Sequence, residues 1–444
     1  MDVTAVAGGL SLLVLLPLIA GALVIYDYRI GVVVLALLFP LSDSALVPRA
    51  EGLNPYTYLS AATLAGLMIK KFTGSRSIVW PPRVLLICIV LPLVAGFMLG
   101  LPHLGEGVRN MLKINPDARL DTLSYFRSYI FKPMLLVIFA VALANAVVDS
   151  KKPERFVVLF AVSALAVIGY VVTFTLSTGV GWGPHRMVIS KAGMHYNEYG
   201  QLFALAFGPL LYVAFAERGA WRIFFGLAAL VVFAGLVFNF ARAGMLAAFV
   251  TLAVFLWQRR SPGVVLSTLG IVIVVILLAP EEWRARMLLG SEEIATSGAG
   301  DRYGELTSGR LQYWYYLVSD VARSPLYGRG LSSTLWTSAV TSGLYPSASH
   351  PHNMYLQILL DIGLLGLALV LYFFYRVLRT LRRLSGDEGI DARMRAFFGG
   401  AWAALIGMLV LGFTGGNWFP AAEQSFLWMT LGLTFAYWHR SAVK

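Results

Sequence analysis

Apolar blocks close to the length of a membrane-crossing helix recur from one end of this chain to the other. They lie near 5–25, 30–41, 56–70, 83–100, 131–147, 155–177, 196–216, 221–238, 242–257, 262–279, 352–375, 396–416 and 425–438. A helix needs about 20 apolar residues to cross the hydrocarbon core of a bilayer. The chain is 444 residues long, 58% hydrophobic and only 13% charged, whereas soluble domains carry roughly a quarter charged residues. The pattern predicts an all-α, polytopic membrane protein with about 12 transmembrane helices. It forms a single integral membrane domain over 1–444, with 280–351 as one long loop outside the membrane. The first block lacks a basic leader and a cleavage site, so it reads as a retained span. The single cysteine, Cys88, lies in an apolar run, which leaves no disulfide framework and no cysteine metal site.

The most basic short loops fix the orientation, because cytoplasmic loops collect Lys and Arg. They are 70–76, 149–155, 217–222, 257–262 and 376–395. Alternation between them puts all five on one side, the cytoplasm. Segments 100–130, 178–195 and 280–350 then fall outside. So do His103, His185, His195, His350 and His352, together with Arg186, Arg302, Arg310, Arg323 and Arg329. The net charge is +12. Cations left on the outer side are not explained by topology, and they point to an anionic substrate handled there.

Four stretches could carry chemistry. In SASHPHNMYLQILLDIGLLG (347–366), Pro351 suits a first helical turn, so a helix beginning at His350–Pro351 would put His352 and Asn353 in that turn. The positive dipole end favours a neutral imidazole there, the form a general base needs. A polar cap at the water interface is the plainer reading. Arg242, in VFNFARAGMLA, sits in a tight turn between two apolar blocks. Such an arginine either faces a polar cavity or snorkels to headgroups. Small neighbours such as Gly244 would let backbones approach closely. In 298–316, Arg310 opens an amphipathic pattern of Leu311, Trp314, Tyr315, Val318 and Val321. A guanidinium there can grip a phosphate bidentately, or be an ordinary solvated loop residue. Residues 181–200 bring Arg186, His195 and Asn197 to the start of another apolar block, as a cavity wall or an interfacial anchor. No H-E-x-x-H, P-loop or cation-ligating carboxylate cluster is present. His350 and His352 are too awkwardly spaced to chelate, so the reading needs no metal and no other cofactor.

The stretch beginning at His352 resembles the O-antigen ligase signature: His, then Asn, nine residues, Gly363, two residues and Gly366. Arg242 at its short turn, and Arg310 in an R-L-x-x-W context, are similar to arginines of that family. The resemblance implies a GT-C-like glycosyltransferase in the Gram-negative inner membrane, with its active site facing the periplasm. The donor it implies is undecaprenyl-pyrophosphate-linked O-antigen and the acceptor lipid A-core, with membrane lipid around both and no nucleic acid. It assigns catalysis to His352 as base and to Arg242 and Arg310 at the pyrophosphate. Arg302, Arg186, His195, Asn197, His350 and Asn353 become substrate-binding candidates. Which of Arg302 and Arg310 is the essential loop arginine stays open. Without an evident nucleophilic carboxylate, a single displacement would invert the anomeric carbon. An O-antigen or exopolysaccharide polymerase, using the same donor, is the nearest alternative, and a protein-directed oligosaccharide ligase is another. A transporter is disfavoured: no internal repeat is visible, and the apolar blocks are read as lacking the acidic residues that proton coupling uses.

Overall fold

The structure, a computed structural model, describes residues 18–44, 46–47, 54–74, 77–114, 121–179, 185–259, separate positions between 262 and 281, 310–344 and 350–438. The side chains of 113–114 and 185–187 fall outside that description. The described chain is helical and contains no strand. Its helices are α1 (Tyr28–Leu38), α2 (Pro55–Thr73), α3 (Arg83–Gly100), α4 (Leu104–Ile114), α5 (Thr122–Phe126), α6 (Lys132–Val148), α7 (Arg155–Ser177), α8 (His185–Lys191), α9 (Tyr196–Ala216), α10 (Gly219–Phe238), α11 (Arg242–Arg259), α12 (Arg310–Arg323), α13 (Ser338–Thr341), α14 (Met354–Ser385), α15 (Ala392–Leu411) and α16 (Ser425–Trp438).

Among the described residues, seven helical stretches are long and apolar enough to cross a membrane. They are Arg83–Leu112, Thr122–Val148, Arg155–Ser177, Tyr196–Ala216, Gly219–Phe238, Met354–Ser385 and Ala392–Leu411. The chain is thus a polytopic membrane protein. The sequence expectation of about 12 spans also counted shorter elements, among them α1, α2, α11 and α16, and blocks at 5–25 and 262–279 that fall largely outside the described residues.

At the centre stands α9, buried along nearly its whole length and packed by α10, α11 and α15. Small residues make this possible, as they do in membrane helix pairs generally. A Cβ on Gly244 would lie 2.7 Å from the Gly200 carbonyl oxygen, and one on Gly400 would lie 2.3 Å from that of Gly208. The basic loops gather at one end of the bundle. Lys71 of the 70–76 loop pairs with Asp149 at 3.0 Å, and Tyr28 Oη donates to the same carboxylate. Arg393 of the 376–395 loop pairs with Glu217 at 2.5 Å. Gln258 and Arg259 share a cavity with Arg382 and Arg395. Loops 70–76 and 149–155 therefore touch, and loop 376–395 meets both 217–222 and 257–262.

α14 is broken. Gly363 takes φ 65°, ψ −166°, which divides an arm of Met354–Ile362 from the rest of the span. The N–H groups of Leu364 and Leu365 donate to the carbonyls of Pro325 and Leu326, at 2.8 and 3.2 Å. From the same segment, Arg329 and Gly330 N–H groups donate to Leu360 and Asp361 carbonyls, both at 2.8 Å. Residues 325–330 thus repair the hydrogen bonds that the break opens, the condition for irregular backbone at membrane depth. Two acidic residues do lie within the apolar blocks that the sequence reading took to lack them: Glu198 in the first turn of α9, and Asp361 at the break. Asp361 accepts from Ser333 N and Oγ at 3.1 and 2.8 Å, and from Trp418 Nε1 at 3.4 Å.

α12 begins at Arg310, as expected, but buries a different face. Tyr313, Leu317 and Asp320 point inward, while Leu311, Tyr315 and Val318 are exposed. The cause is Asp320, which accepts from Arg323, Arg329 and both the N–H and hydroxyl of Ser338. A fully satisfied buried carboxylate outweighs the apolar stripe, and it also engages two of the outer arginines.

The break predicts a specific sensitivity. Any side chain at Gly363 meets the Leu326 carbonyl carbon at 2.3 Å in a region of φ/ψ that only glycine occupies comfortably. Gly363→Ala should lower the thermal unfolding midpoint of the detergent-solubilised protein by several degrees, reflecting roughly 1–3 kcal/mol of backbone strain plus overlap. Gly169→Ala in α7, where an added Cβ meets nothing within 4 Å, should leave the midpoint unchanged or raise it slightly.

Candidate active site

The first turns of α9 and α11 and the segment leading into α14 line one cavity of about 430 Å³. α9 contributes His195, Asn197, Glu198 and Gln201 from its first turns, and α11 contributes Ala243 beside Arg242. The approach to α14 contributes His350 and His352. α12 reaches the same place through Arg310, its first residue, whose Nη1 donates to the Thr414 carbonyl at 2.6 Å. Thr414, Asn417 and Glu423 line the fourth wall. Free N–H groups and the positive dipole ends make such termini receptive to anions.

Two arginines stand at the heads of these helices, the positions where a cation is least welcome. Arg242 opens α11 after a turn in which Phe240 takes φ 57°, and Asn239 Nδ2 donates to the Tyr196 carbonyl. Arg310 is buried enough that desolvation lowers its pKa, with the neighbouring Arg242 charge acting in the same direction. The two guanidinium groups therefore share one electrostatic environment. Trp314, one turn beyond Arg310, donates its Nε1–H to the Pro351 carbonyl at 2.7 Å. This ties α12 to the histidine loop.

The helix expected to begin at His350–Pro351 begins instead at Met354. Asn353 is the N-cap, its side-chain oxygen accepting from Leu356 N–H at 3.0 Å, a stronger start signal than proline. His352 lies outside the helix with φ 52°, a left-handed conformation costly for a residue with a Cβ. His350 holds it there: the His352 N–H donates to His350 Nδ1 at 2.8 Å, and His350 Nε2 meets Asn417 Oδ1 at 3.1 Å. With Nδ1 accepting, Nε2 carries the proton and donates to Asn417. Both ring nitrogens of His350 are thereby engaged.

Burial pushes the His352 pKa down to about 3, and the basic neighbours His350, Arg310 and His195 act in the same direction. His350 is pushed down to about 4, by burial first, against the opposing hydrogen bonds of Asn417 and Gln357. Both shifts favour the neutral imidazole. The ring of His352 faces the cavity, where it could receive a proton.

Sequence reasoning missed the wall made by 414–423. Asn417 Nδ2 donates to Glu423 Oε1 at 2.5 Å, and Gln424 Nε2 donates to the Asn417 carbonyl at 2.6 Å. Glu423 is buried, and burial, with the nearby Glu198 charge second, pushes its carboxyl up to about 8. A signal was available, in that GNWFPAAEQ interrupts two apolar blocks with polar residues.

The remaining candidates divide. His195 caps α9, its Nδ1 accepting from Asn197 N–H at 3.3 Å while Glu198 accepts from the His195 N–H at 2.8 Å. Asn353 spends its oxygen on its helix. His103 stacks on Trp336, with ring centroids 5.5 Å apart, and Trp336 does not line the cavity. Arg186 stands in α8 with its side chain outside the described residues, as His185 does, and Arg302 lies outside them altogether. Among the described residues, no three His, Cys, Asp or Glu side chains group to hold a metal ion.

Residues 227–371 match the family model described as O-antigen ligase. A Rickettsia bellii protein named "Putative polysaccharide ligase" is 31% identical over 107 residues, covering 22% of this chain and 26% of that protein. A Rickettsia conorii protein of the same designation is 31% identical over 87 residues, covering 18% and 21%. The aligned part thus spans about a quarter of these relatives' length or less. The chain is similar to the O-antigen ligase family across 227–371, the stretch that supplies Arg242, Arg310, His350 and His352.

Proposed function

We propose that this protein transfers O-antigen polysaccharide from undecaprenyl pyrophosphate to a core-sugar hydroxyl of lipid A-core, at the periplasmic face of the inner membrane. One observation carries the reading. A neutral, strained histidine opens into a cavity in a membrane bundle, next to two guanidinium groups that each sit against a helix dipole. Cations at such positions are stabilised when an anion lies between them, and a diphosphate fits that need.

In the transfer, the acceptor hydroxyl loses its proton to His352 as its oxygen attacks the anomeric carbon. The bond from that carbon to the pyrophosphate oxygen breaks, and the electron pair leaves with the pyrophosphate. Arg242, Arg310 and the N–H groups of the converging helix ends stabilise the departing charge. Single displacement inverts the anomeric centre. His350 positions His352 and fixes its backbone. The surrounding apolar helices give the lipid tails of both substrates a path into the site from the membrane.

His352→Ala should reduce ligation by about 10²–10⁴-fold, the range for a lost general base. Arg242→Ala and Arg310→Ala should each reduce it by about 10²–10³-fold, the range for a lost charge-stabilising donor. The assay uses purified protein, lipid-linked glycan and lipid A-core. Near-normal activity of His352→Ala removes the base assignment. Ladder growth on the donor without lipid A-core would identify a polymerase instead.

The depressed histidine pKa sets the pH profile. His352 is the competent base when neutral, so activity is lost as falling pH protonates it. Because its pKa lies well below 6.5, kcat/KM should stay flat from pH 8 down to about 5, and decline only below that. A bound diphosphate favours the imidazolium, so the acid limb of kcat should lie at higher pH than that of kcat/KM. A kcat/KM limb centred near 6.5 would show that His352 is solvated in the free protein.

EDTA at millimolar concentration should leave the rate within twofold of the untreated protein. Strong inhibition reversed by Mg²⁺ would overturn the metal-free mechanism.

A further inference from the structure

The cavity holding His352 has a second wall that this mechanism leaves unused. His352 has cationic or basic neighbours, His350, Arg310 and His195. Glu423, across the same cavity, has Glu198 and Asp43 as its charged neighbours. Basic groups gather at one side of the site and carboxyl groups at the other, so a diphosphate is drawn to the arginine side.

Gln201 stands one turn beyond Glu198 on α9 and lines the same cavity. It is 2% exposed, and its Nε2 is buried with no hydrogen-bond partner among the described residues. A buried donor left without an acceptor is costly, and such orphans call for an explanation. Glu198 and Glu423 also border a second, smaller cavity of about 180 Å³, lined further by Asp43, Tyr56, Ser128 and Lys132. Lys132 lies 3.7 Å from Asp43 there. Carboxyl groups, hydroxyls, aromatic edges and a lysine already facing Asp43 in this recess, with the Gln201 amide in the adjoining cavity, suit the hydroxyls and C–H faces of an uncharged sugar.

We propose that Glu198, Gln201 and Glu423, with the adjoining recess of Asp43, Ser128 and Lys132, form the subsite for an uncharged acceptor sugar. Donor and acceptor then reach His352 from opposite walls, the diphosphate over the guanidinium groups and the hydroxyl over the carboxylates. This assignment rests on the glycan-transfer reading above.

The test measures initial rates of the purified full chain with lipid-linked glycan and lipid A-core varied separately. Three substitutions in different elements are compared: Gln201→Leu, Glu423→Gln and Lys132→Met. Each should raise the acceptor KM by about tenfold or more, as sites built to hydrogen-bond a hydroxyl do when a partner is removed. Donor KM, and binding of undecaprenyl pyrophosphate alone, should stay within about threefold of wild type. Retained binding of undecaprenyl pyrophosphate also reports that a variant is folded, and three separate elements keep the test alive if one substitution unfolds the protein. Unchanged acceptor KM in the folded variants, or a rise in donor KM instead, overturns the proposal. If the wild type extends the donor without lipid A-core, the ligase reading fails. The second donor molecule is then the acceptor, and the same KM split tests the subsite.

Discussion

A transmembrane helix that breaks must find new partners for the backbone groups it exposes, and this requirement organises the end of the bundle that carries the cavity. The break in α14 at Gly363 frees N–H and C=O groups where lipid offers no hydrogen bonds. Residues 325–330 supply the replacements, and they are covalently continuous with α12. Sealing the break therefore fixes the segment that follows Arg310, while Trp314 pins the helix itself to Pro351. Tyr125 Oη adds a further tie, donating to the Leu331 carbonyl at 2.7 Å. The arm from Met354 to Ile362 is short because its purpose is local. It presents an N-terminus, and the histidines before it, to the cavity.

The same geometry accounts for the electrostatics. Helices of a membrane bundle ordinarily end in loops that water or headgroups solvate. Here α9 and α11 begin at one recess, and Arg310 at the head of α12 reaches the Thr414 carbonyl on its wall, so positive ends gather there. Placing Arg242 and Arg310 at two of those ends raises the positive potential further and destabilises the empty site. Binding an anion between them reverses that cost, which is how an empty site can be poised for a charged leaving group.

Much of the helix layout was legible in the sequence, because membrane helices advertise themselves by apolar length. Blocks 155–177 and 196–216 coincide with α7 and α9, and Arg242 opens α11 where the turn was read. The break at Gly363 was invisible to hydropathy, since both arms are apolar and the period runs through it. α12 was found with the wrong face because periodicity weighs Leu311 and Val318 but cannot know that Asp320 will be satisfied. The wall from Thr414 to Glu423 was missed for a similar reason. Its residues are scattered in a connection whose importance comes from α9 packing against α15, a tertiary fact. Asp361 was overlooked because a lone carboxylate hardly lowers the hydropathy of an apolar block.

The two histidines illustrate how neighbours in sequence can take separate tasks. His350 accepts one hydrogen bond from the His352 backbone and donates another to Asn417, so adding a proton to it would break the contact that holds His352 in its left-handed turn. Among the described residues the His352 ring makes no hydrogen bond, meeting the His350 ring edge-on and lining the cavity. A similar left-handed residue, Phe240, lies two positions before Arg242. Strain of this kind persists only where surrounding contacts over-determine it, and here those contacts are the hydrogen bonds of Asn239 and His350. The fold thus places its least comfortable backbone next to the groups assigned to the proton and to the leaving phosphate, and uses buried polar side chains to keep it there.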